Sequence, residues 1–490
     1  MTRRRLILLA VFALTLAVRA HESTESRPLL MGDWPDVTVC KDGADYYMTH
    51  SSGPYRPAVL IWHSRDLQTW TPLVHALPQQ EGNVWVSEIT KHAGRFHVYY
   101  SANLQDYVTT AESPRGPWSA PLKIEGAKSL DVGHVVDDEG RRYLFSAGGK
   151  VAKLSADGLR VTGEKRRVHE PWPIPADWAV ECECLESPRI ERHGEWFHML
   201  AAEGGTFGPA TAHMVIAARA KHPLGPWENA PHNPLIHTYS RDEAWWAKGH
   251  GDLIEGPGGQ WWCVLHGQRA QHRTLGRCTI IEPIEWTADG WPRVQKPWPA
   301  NWTGARNAMP MSDEFDGPTL GIQWQFHGSY DPQRFRFEKG ALVLQSRGNS
   351  AGNSESMCMM PRDEAYEIET ELELTGDASA GLMLFASPEL HVGLELTPAG
   401  DVRRISPGMK QYTWSKDIQH GSRRVAFRIT NRHEDVTLSY RDANGSWHTL
   451  TPGYALDRVA DSLSGVRAAL FTHGTGAATF HFFHYGQLKP

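Results

Sequence analysis

The sequence predicts an all-β chain in two parts, a five-bladed β-propeller followed by an antiparallel β-sandwich. Three observations predict it. A glycine, one or two polar residues and an aromatic run recur five times between Gly43 and His266. No stretch before Pro299 carries the apolar spacing of an amphipathic helix of ordinary length. Beyond residue 311, short segments alternate apolar and polar with a period of two.

The five copies are "GADYYMTHS" from Gly43, "GRFHVYYS" from Gly94, "GRRYLFSA" from Gly140, "GEWFHMLA" from Gly194 and "GQWWCVLH" from Gly259. Successive glycines stand 51, 46, 54 and 65 residues apart. Each copy reads as a tight turn entering a strand of aromatic and branched residues. A second element follows some of them: "HSRDLQTW" (63–70), "ESPRGPW" (112–118) and "AKHPLGPW" (220–227). It fits an outer strand entered through a turn. Several short strands repeated five times suit a propeller. The copies are only weakly alike, which leaves other stacked all-β arrangements open.

The proline-rich "QKPWPANWTGARNAMP" (295–310) ends the repeats and reads as a linker. Beyond it, "ALVLQS", "YEIETELEL", "GLMLFAS", "HVGLELT", "RRVAFRIT", "DVTLSY", "VRAALFTH" and "ATFHFFHYG" read as separate strands of a sandwich. The expected division is residues 21–300 for the propeller and 311–490 for the sandwich.

The innermost strand of a blade lines the central channel, and the repeated glycine should follow it. Seven to nine residues before the five glycines stand Asp36, Trp85, Asp131, Glu186 and His250. Equivalent places on five blades converge on one axis. Three carboxylates, an imidazole and an indole would therefore share one pocket. Glu186 is the only one of five glutamates in "ECECLESPRIERHGEWFHML" (181–200) at a repeat-equivalent place. A solvated surface glutamate is the commoner state of such a residue. Three acids in register on separate blades argue for chemistry. A metal site fits this stretch less well, because Cys182-x-Cys184 has no matching second pair, and His193 and His198 fall where solvation or packing is usual. No HExxH, GxSxG, phosphate-loop or dinucleotide signature stands in a supporting context.

Paired carboxylates in an aromatic-lined channel suit glycoside hydrolysis. One acid protonates the leaving oxygen while an ionised partner activates water from the opposite face. A third carboxylate beside the acid would raise its pKa.

The remaining composition limits the class. The 490 residues call for two domains, and 22% charged with 40% hydrophobic residues describes a globular protein. "MTRRRLILLAVFALTLAVRAHES" reads as a secretory signal cleaved after Ala20, too short to remain as a membrane span. A secreted or periplasmic enzyme is expected. Its loss takes four arginines and moves the formal charge from −6 to about −10. No basic tract is left for nucleic acid. The six cysteines lack the density of a disulfide scaffold. A bond between Cys182 and Cys184, one residue apart, is expected to be strained, and most of the six read as buried small hydrophobes.

At "GDWPDVTVCKDGADYYM", "LDVGHVVDDEGRRYLF", "LESPRIERHGEWFHMLAAEGGT", "GHGDLIEGPGGQWWCVLH" and "GRCTIIEPIEWTADGWP" the chain resembles glycoside hydrolase family 43. These segments span residues 31–295 in the family's order. The resemblance implies an inverting, exo-acting hydrolase releasing terminal xylose or arabinofuranose from plant-type polysaccharide side chains or oligosaccharides. It implies that Asp36 is the general base, Asp131 orients the acid and raises its pKa, and Glu186 is the general acid. Arg277 matches a sugar-binding arginine and Trp85 an aromatic wall of the terminal subsite. A surface salt bridge for Arg277 and a core position for Trp85 are the plainer readings. His250 corresponds to a channel histidine that holds a water or a calcium ion at the axis; no cofactor is required for the reaction itself. The family's Glu-Gly-Pro is Glu186-Ser187-Pro188 here, Cys278 replaces the glutamate of Gly-Arg-Glu-Thr, and Val132 replaces a proline after Asp131. These departures bear on the sugar, and keep a β-galactosidase-type member of the family in view.

"DEFDGPTL" and "ATFHFFHYG" also resemble the lectin-like C-terminal sandwich of family 43 xylosidases. A buttress to the propeller with a share in the pocket rim is expected of it, against a separate carbohydrate-binding module. Two rival functions remain. A catalytically silent, glycan-binding propeller would not need three intact acids. A retaining enzyme of the sucrose or fructan class would carry an Arg-Asp-Pro in the middle blade, where this chain has none.

Overall fold

The computed structural model describes residues 26–80, 82–406, 417–455 and 464–489. The expected leader, residues 1–20, lies outside them. Among the described residues the only helical turns are three single-turn 3-10 segments, at Pro257–Gly259, Arg273–Leu275 and Pro332–Arg334. Among the described residues no helix is long and apolar enough to cross a membrane.

Five antiparallel sheets follow one another along the chain. Their first strands are Thr38–Asp42, Trp85–His92, Gly133–Val136, Glu186–His193 and Trp245–Glu255. Each packs against the first strands of the blades on either side, which closes a ring around a channel. The repeated glycines form the turns after these strands, with φ of 63, 80, 76, 59 and 80° in chain order. At Gly43, Gly94, Gly140 and Gly194 a Cβ would meet nothing within 4 Å. Glycine is there for its left-handed backbone, not for room.

The second recurrent element also has a structural job. The indole N–H groups of Trp70, Trp118 and Trp227 donate to the carbonyls of Leu67, Pro114 and Pro223 at 3.1, 3.2 and 3.0 Å. Each bond ties a tryptophan to the turn before it, so the ring packs on its blade with its one polar group satisfied.

The fifth blade is completed from the other end of the domain. Arg27–Leu30 pairs antiparallel with Arg277–Trp286 as the outermost strand. A strand from the start of the domain thereby completes its last blade and closes the ring.

The segment expected as a linker is docked. Arg306–Asn307 pairs in parallel with Thr69 and Trp70 at the rim of blade 1. Trp298 and Trp302 lie 5.8 and 5.1 Å from Trp262, and the Arg27 guanidinium covers Trp298 at 4.2 Å. Aromatic packing holds what proline content alone marked as a connection.

The C-terminal part is a sandwich organised by two long strands, Ala365–Ser387 and Arg467–Gln487, paired along their length. Arg424–Arg432 flanks the first half of Ala365–Ser387, and Leu390–Leu396 flanks the second. The pair therefore runs from one layer into the other. Four segments expected as separate strands are two bent ones. The bend falls at Gly376, Gly474 and Gly476, with φ of 67, 89 and 131°. A Cβ on Gly476 would meet the Thr375 carbonyl oxygen at 2.2 Å, so only glycine lets the backbones cross so closely.

Propeller and sandwich share hydrogen bonds and core. Tyr55–Arg56 of the first blade's loop pairs with Phe326 and His327, adding a strand to the sandwich sheet. Gln325 donates to the Pro57 carbonyl at 2.8 Å, and Arg467 stacks over Tyr55 at 3.7 Å. One apolar cluster runs from Leu29 and Trp62 of the propeller to Met360 and Phe483 of the sandwich. Each large side chain stripped of cover costs about 1.5–3 kcal/mol, against a total stability of about 5–15 kcal/mol. Residues 21–300 expressed alone are therefore expected to aggregate. Size-exclusion chromatography and circular dichroism check this; a soluble, fully active fragment would remove the buttress role.

The cysteines divide into one bonded pair and four free residues. Cys182 and Cys184 form a disulfide, with Cα atoms 5.2 Å apart, inside the ordinary range of roughly 4.4–6.8 Å. Cys184 adopts φ of 41°, and this reversal swings the two side chains toward each other. The other four cysteines are free and buried, as expected.

Candidate active site

All five inner strands start at the same end of the ring, and the predicted residues stand at or beside those starts. Asp36 and Asp131 precede their strands by two residues, and Glu186 and Trp85 open theirs. His250 lies further in, within Trp245–Glu255, at the irregularity of the pairing between Gly249 and Asp252. Asp36, Asp131 and His250 have φ of 56, 53 and 54°, and Ser187, next to Glu186, has 52°. Left-handed backbone is uncommon outside glycine and costs on the order of 1–3 kcal/mol. Here it recurs on four blades. The reversal turns each side chain off the sheet face and into the channel.

The structure brings Asp36, Asp131, Glu186, His250 and Arg277 together. Arg277 Nη1 donates to Asp36 Oδ1 at 2.7 Å. His250 stands between two acids, with Nδ1 3.5 Å from Asp36 Oδ1 and Nε2 3.5 Å from Glu186 Oε1. Asp131, Glu186 and His250 present atoms all within 4.8 Å of one another. Arg277 is not a surface bridge: its side chain is 11% exposed. The Asp33 carboxylate accepts the Arg277 backbone N–H at 3.1 Å and fixes that end of the strand. Trp85 is half-buried, and its backbone pairs with Ser101.

Charge is partitioned unevenly in this ring. Burial pushes the Asp36 carboxyl up, but Arg277 and then His250 outweigh it and hold Asp36 below the usual range. Burial raises Asp131 to about 6; His250 opposes this, and the Glu186 and Asp36 charges add to it. Burial also raises Glu186, yet the His250 hydrogen bond and charge bring it below its ordinary value. His250 itself is raised, because Asp36, Glu186 and Asp131 outweigh its burial. The sequence reading expected the raised carboxyl to be Glu186. In the free protein the raised one is Asp131, since the imidazole lies against Glu186.

Two further histidines complete the floor. His266 accepts the Asp36 N–H through Nδ1 at 3.1 Å and stacks on His250 at 4.7 Å. His213 lies 5.5 Å from both rings, and a Cβ on Gly249 would fall 1.9 Å from it. Sequence reasoning missed both. His213 directly precedes the third strand of blade 4, outside the repeat, and His266 closes the fifth copy on a second strand, downstream of the glycine from which the acids were counted back. His213, His250 and His266 could hold a metal, as could Asp131, Glu186 and His250. Calcium takes six to eight oxygens; around His250 the carboxylates of Asp36, Asp131 and Glu186 are the side-chain oxygens on offer.

Fold and site together define a class: a propeller glycoside hydrolase with its acids at one mouth of the channel. The profile of glycosyl hydrolases family 43 matches residues 26–292, and that of the beta xylosidase C-terminal concanavalin A-like domain matches residues 312–486. The chain belongs to glycosyl hydrolases family 43.

It is 27% identical to a non-reducing end alpha-L-arabinofuranosidase of Bacteroides ovatus, over 97% of this chain and 96% of that one. It is 26% identical to a xylan 1,3-beta-xylosidase of a Vibrio species, over 94% of this chain and 99% of that one. Among solved structures, the xylan beta-1,4-xylosidase of Bacillus halodurans superposes with a TM-score of 0.84 at 24% identity, over 94% of this chain and all of that one.

Proposed function

We propose that this glycoside hydrolase acts at chain ends and releases terminal xylose or arabinofuranose from plant-type polysaccharide side chains or oligosaccharides, with inversion. The observation that carries the reaction is one imidazole standing between two acids, 3.5 Å from each. The two carboxyls are then at most about 9 Å apart, compatible with the roughly 6.5–9.5 Å of an inverting pair. The sugar rests on the relatives, named as an arabinofuranosidase and xylosidases.

Asp36 is assigned as the general base, because the Arg277 guanidinium keeps it ionised and ready to take a proton from water. Glu186 is assigned as the acid that protonates the leaving oxygen. In the free enzyme, burial favours the proton of the Asp131–Glu186 pair on Asp131, raised to about 6, over Glu186 beside the His250 imidazole. The macroscopic titration belongs to the pair, so entry of a sugar that excludes water shifts the proton toward Glu186. Arg277 and Trp85 are assigned to the terminal sugar.

The basic and apolar run of residues 3–18 supports export to the periplasm or medium. A panel of nitrophenyl pyranosides and furanosides, followed by proton NMR, tests the whole reading. Fastest turnover is expected on β-xyloside or α-arabinofuranoside, with the inverted anomer appearing first, and the exported chain should begin at His21. Initial release of the retained anomer would remove the inverting assignment. Preference for a galactoside would move the sugar but leave the acids in place.

A further inference from the structure

The seam between propeller and sandwich holds a second group of ligand-type side chains that shares no residue with the channel. His272 lies in the turn after Trp261–Arg269 of blade 5. Glu364 immediately precedes Ala365–Ser387, and His433 sits in the tight turn between Arg424–Arg432 and Asp435–Arg441. One ligand atom from each lies within 4.8 Å of the others. We propose that His272, Glu364 and His433 bind one transition-metal dication of the zinc type, which cross-links the two domains.

The spacing is the first argument. His272 Nε2 is 3.4 Å from Glu364 Oε2, long for an N–H···O bond with its usual separation of about 2.9–3.0 Å. It equals the edge of a tetrahedron whose corners lie about 2.0–2.1 Å from a zinc ion, roughly 3.4 Å. The two imidazole rings are 5.4 Å apart, centre to centre. His433 is exposed and presents a ligand atom within 4.8 Å of the other two, so it would supply the third corner and water the fourth.

The orientation of the carboxylate is the second argument. Glu364 spends its other oxygen on Arg269, whose Nε donates to Oε1 at 2.8 Å. That bond leaves Oε2 aimed at His272, the arrangement by which a neighbouring group orients a metal-binding carboxylate.

The third argument is preorganisation. The His433 N–H donates to the Glu364 carbonyl at 3.1 Å, which locks the two sandwich ligands to each other. Across the seam, the Thr274 N–H and hydroxyl both donate to Glu434 Oε1, at 3.1 and 2.9 Å. The turn that carries His433 is thereby pinned to the loop that carries His272 without help from an ion. Two imidazoles and one carboxylate suit zinc or cobalt; calcium and magnesium require more oxygens.

The test uses the full chain stripped with a chelator. Zinc chloride is titrated calorimetrically into the native protein and into His433→Ala, and thermal unfolding is followed with and without zinc. His433 is exposed, so the variant's metal-free Tm should match that of the native chain. The variant should take up one fewer equivalent of zinc and lose a zinc-dependent rise in Tm of a few degrees. Cobalt should give visible d–d bands in the native protein that His433→Ala diminishes. His272→Ala should behave likewise. Equal zinc uptake and equal Tm shifts in native and variant chains would overturn the proposal, as would no uptake by the native chain. An equal response to calcium would overturn the choice of ion. Metal held by the channel histidines would persist in both variants.

Discussion

Glu186→Gln lowers kcat by about 10²–10⁴-fold, the usual contribution of a positioned proton donor, on substrates whose leaving group is another sugar. A sugar alkoxide is a poor leaving group, and Glu186 is the acid proposed to protonate it. On a nitrophenyl glycoside the phenolate departs with little help, so the loss should shrink toward the low end of that range. The pH profile supplies a second reading. The acid works only while the Asp131–Glu186 pair holds its proton, and Asp131 lies at about 6 in the free enzyme. Activity should therefore fall as pH rises through that region. The acidic limb lies lower, where Asp36 is protonated, because its carboxyl is held below the usual range. In Glu186→Gln the alkaline limb should disappear on nitrophenyl substrates while the acidic limb stays. Steady-state kinetics across pH on both substrate types measures this, and an unchanged rate on oligosaccharide would mean that another residue is the acid.

Asp36→Asn should be as damaging, with a different signature. Water must be activated whatever leaves, so the loss, about 10²–10⁴-fold in kcat, should be the same on aryl and sugar leaving groups. Asparagine keeps an oxygen for Arg277 Nη1, now 2.7 Å from the carboxylate. KM should therefore change less than kcat, and the fold should survive. The acidic limb of the pH profile should go with the base. Turnover above a tenth of the native rate would leave Asp36 as a partner of Arg277 and no more.

These two acids were legible in the sequence because a propeller repeats. The turn glycine marks a fixed place in every blade, and counting back from it lands on the channel end of each inner strand. Asp36, Asp131, Glu186 and His250 all emerged that way, and all meet in the structure. His213 and His266 did not, because the count runs backwards from each glycine and both lie downstream of theirs. The pairing of Arg27–Leu30 with Arg277–Trp286 was equally hidden, since four residues without a turn partner carry no local signal. Glycine misled in the sandwich. Gly376, Gly474 and Gly476 read as turns but only bend two continuous strands, a distinction made by neighbouring backbones. Proline misled between the domains: "QKPWPANW" looked like a tether, and its tryptophans pack it down.

The strand that finishes blade 5 also sets an order of events during synthesis. Arg27–Leu30 leaves the ribosome early but has no place to go until Arg277–Trp286 has been made. At roughly 5–20 residues per second, that wait is on the order of ten to fifty seconds. For that interval Arg27–Leu30 has no partner strand, and the ring of blades stays open until the last one is made.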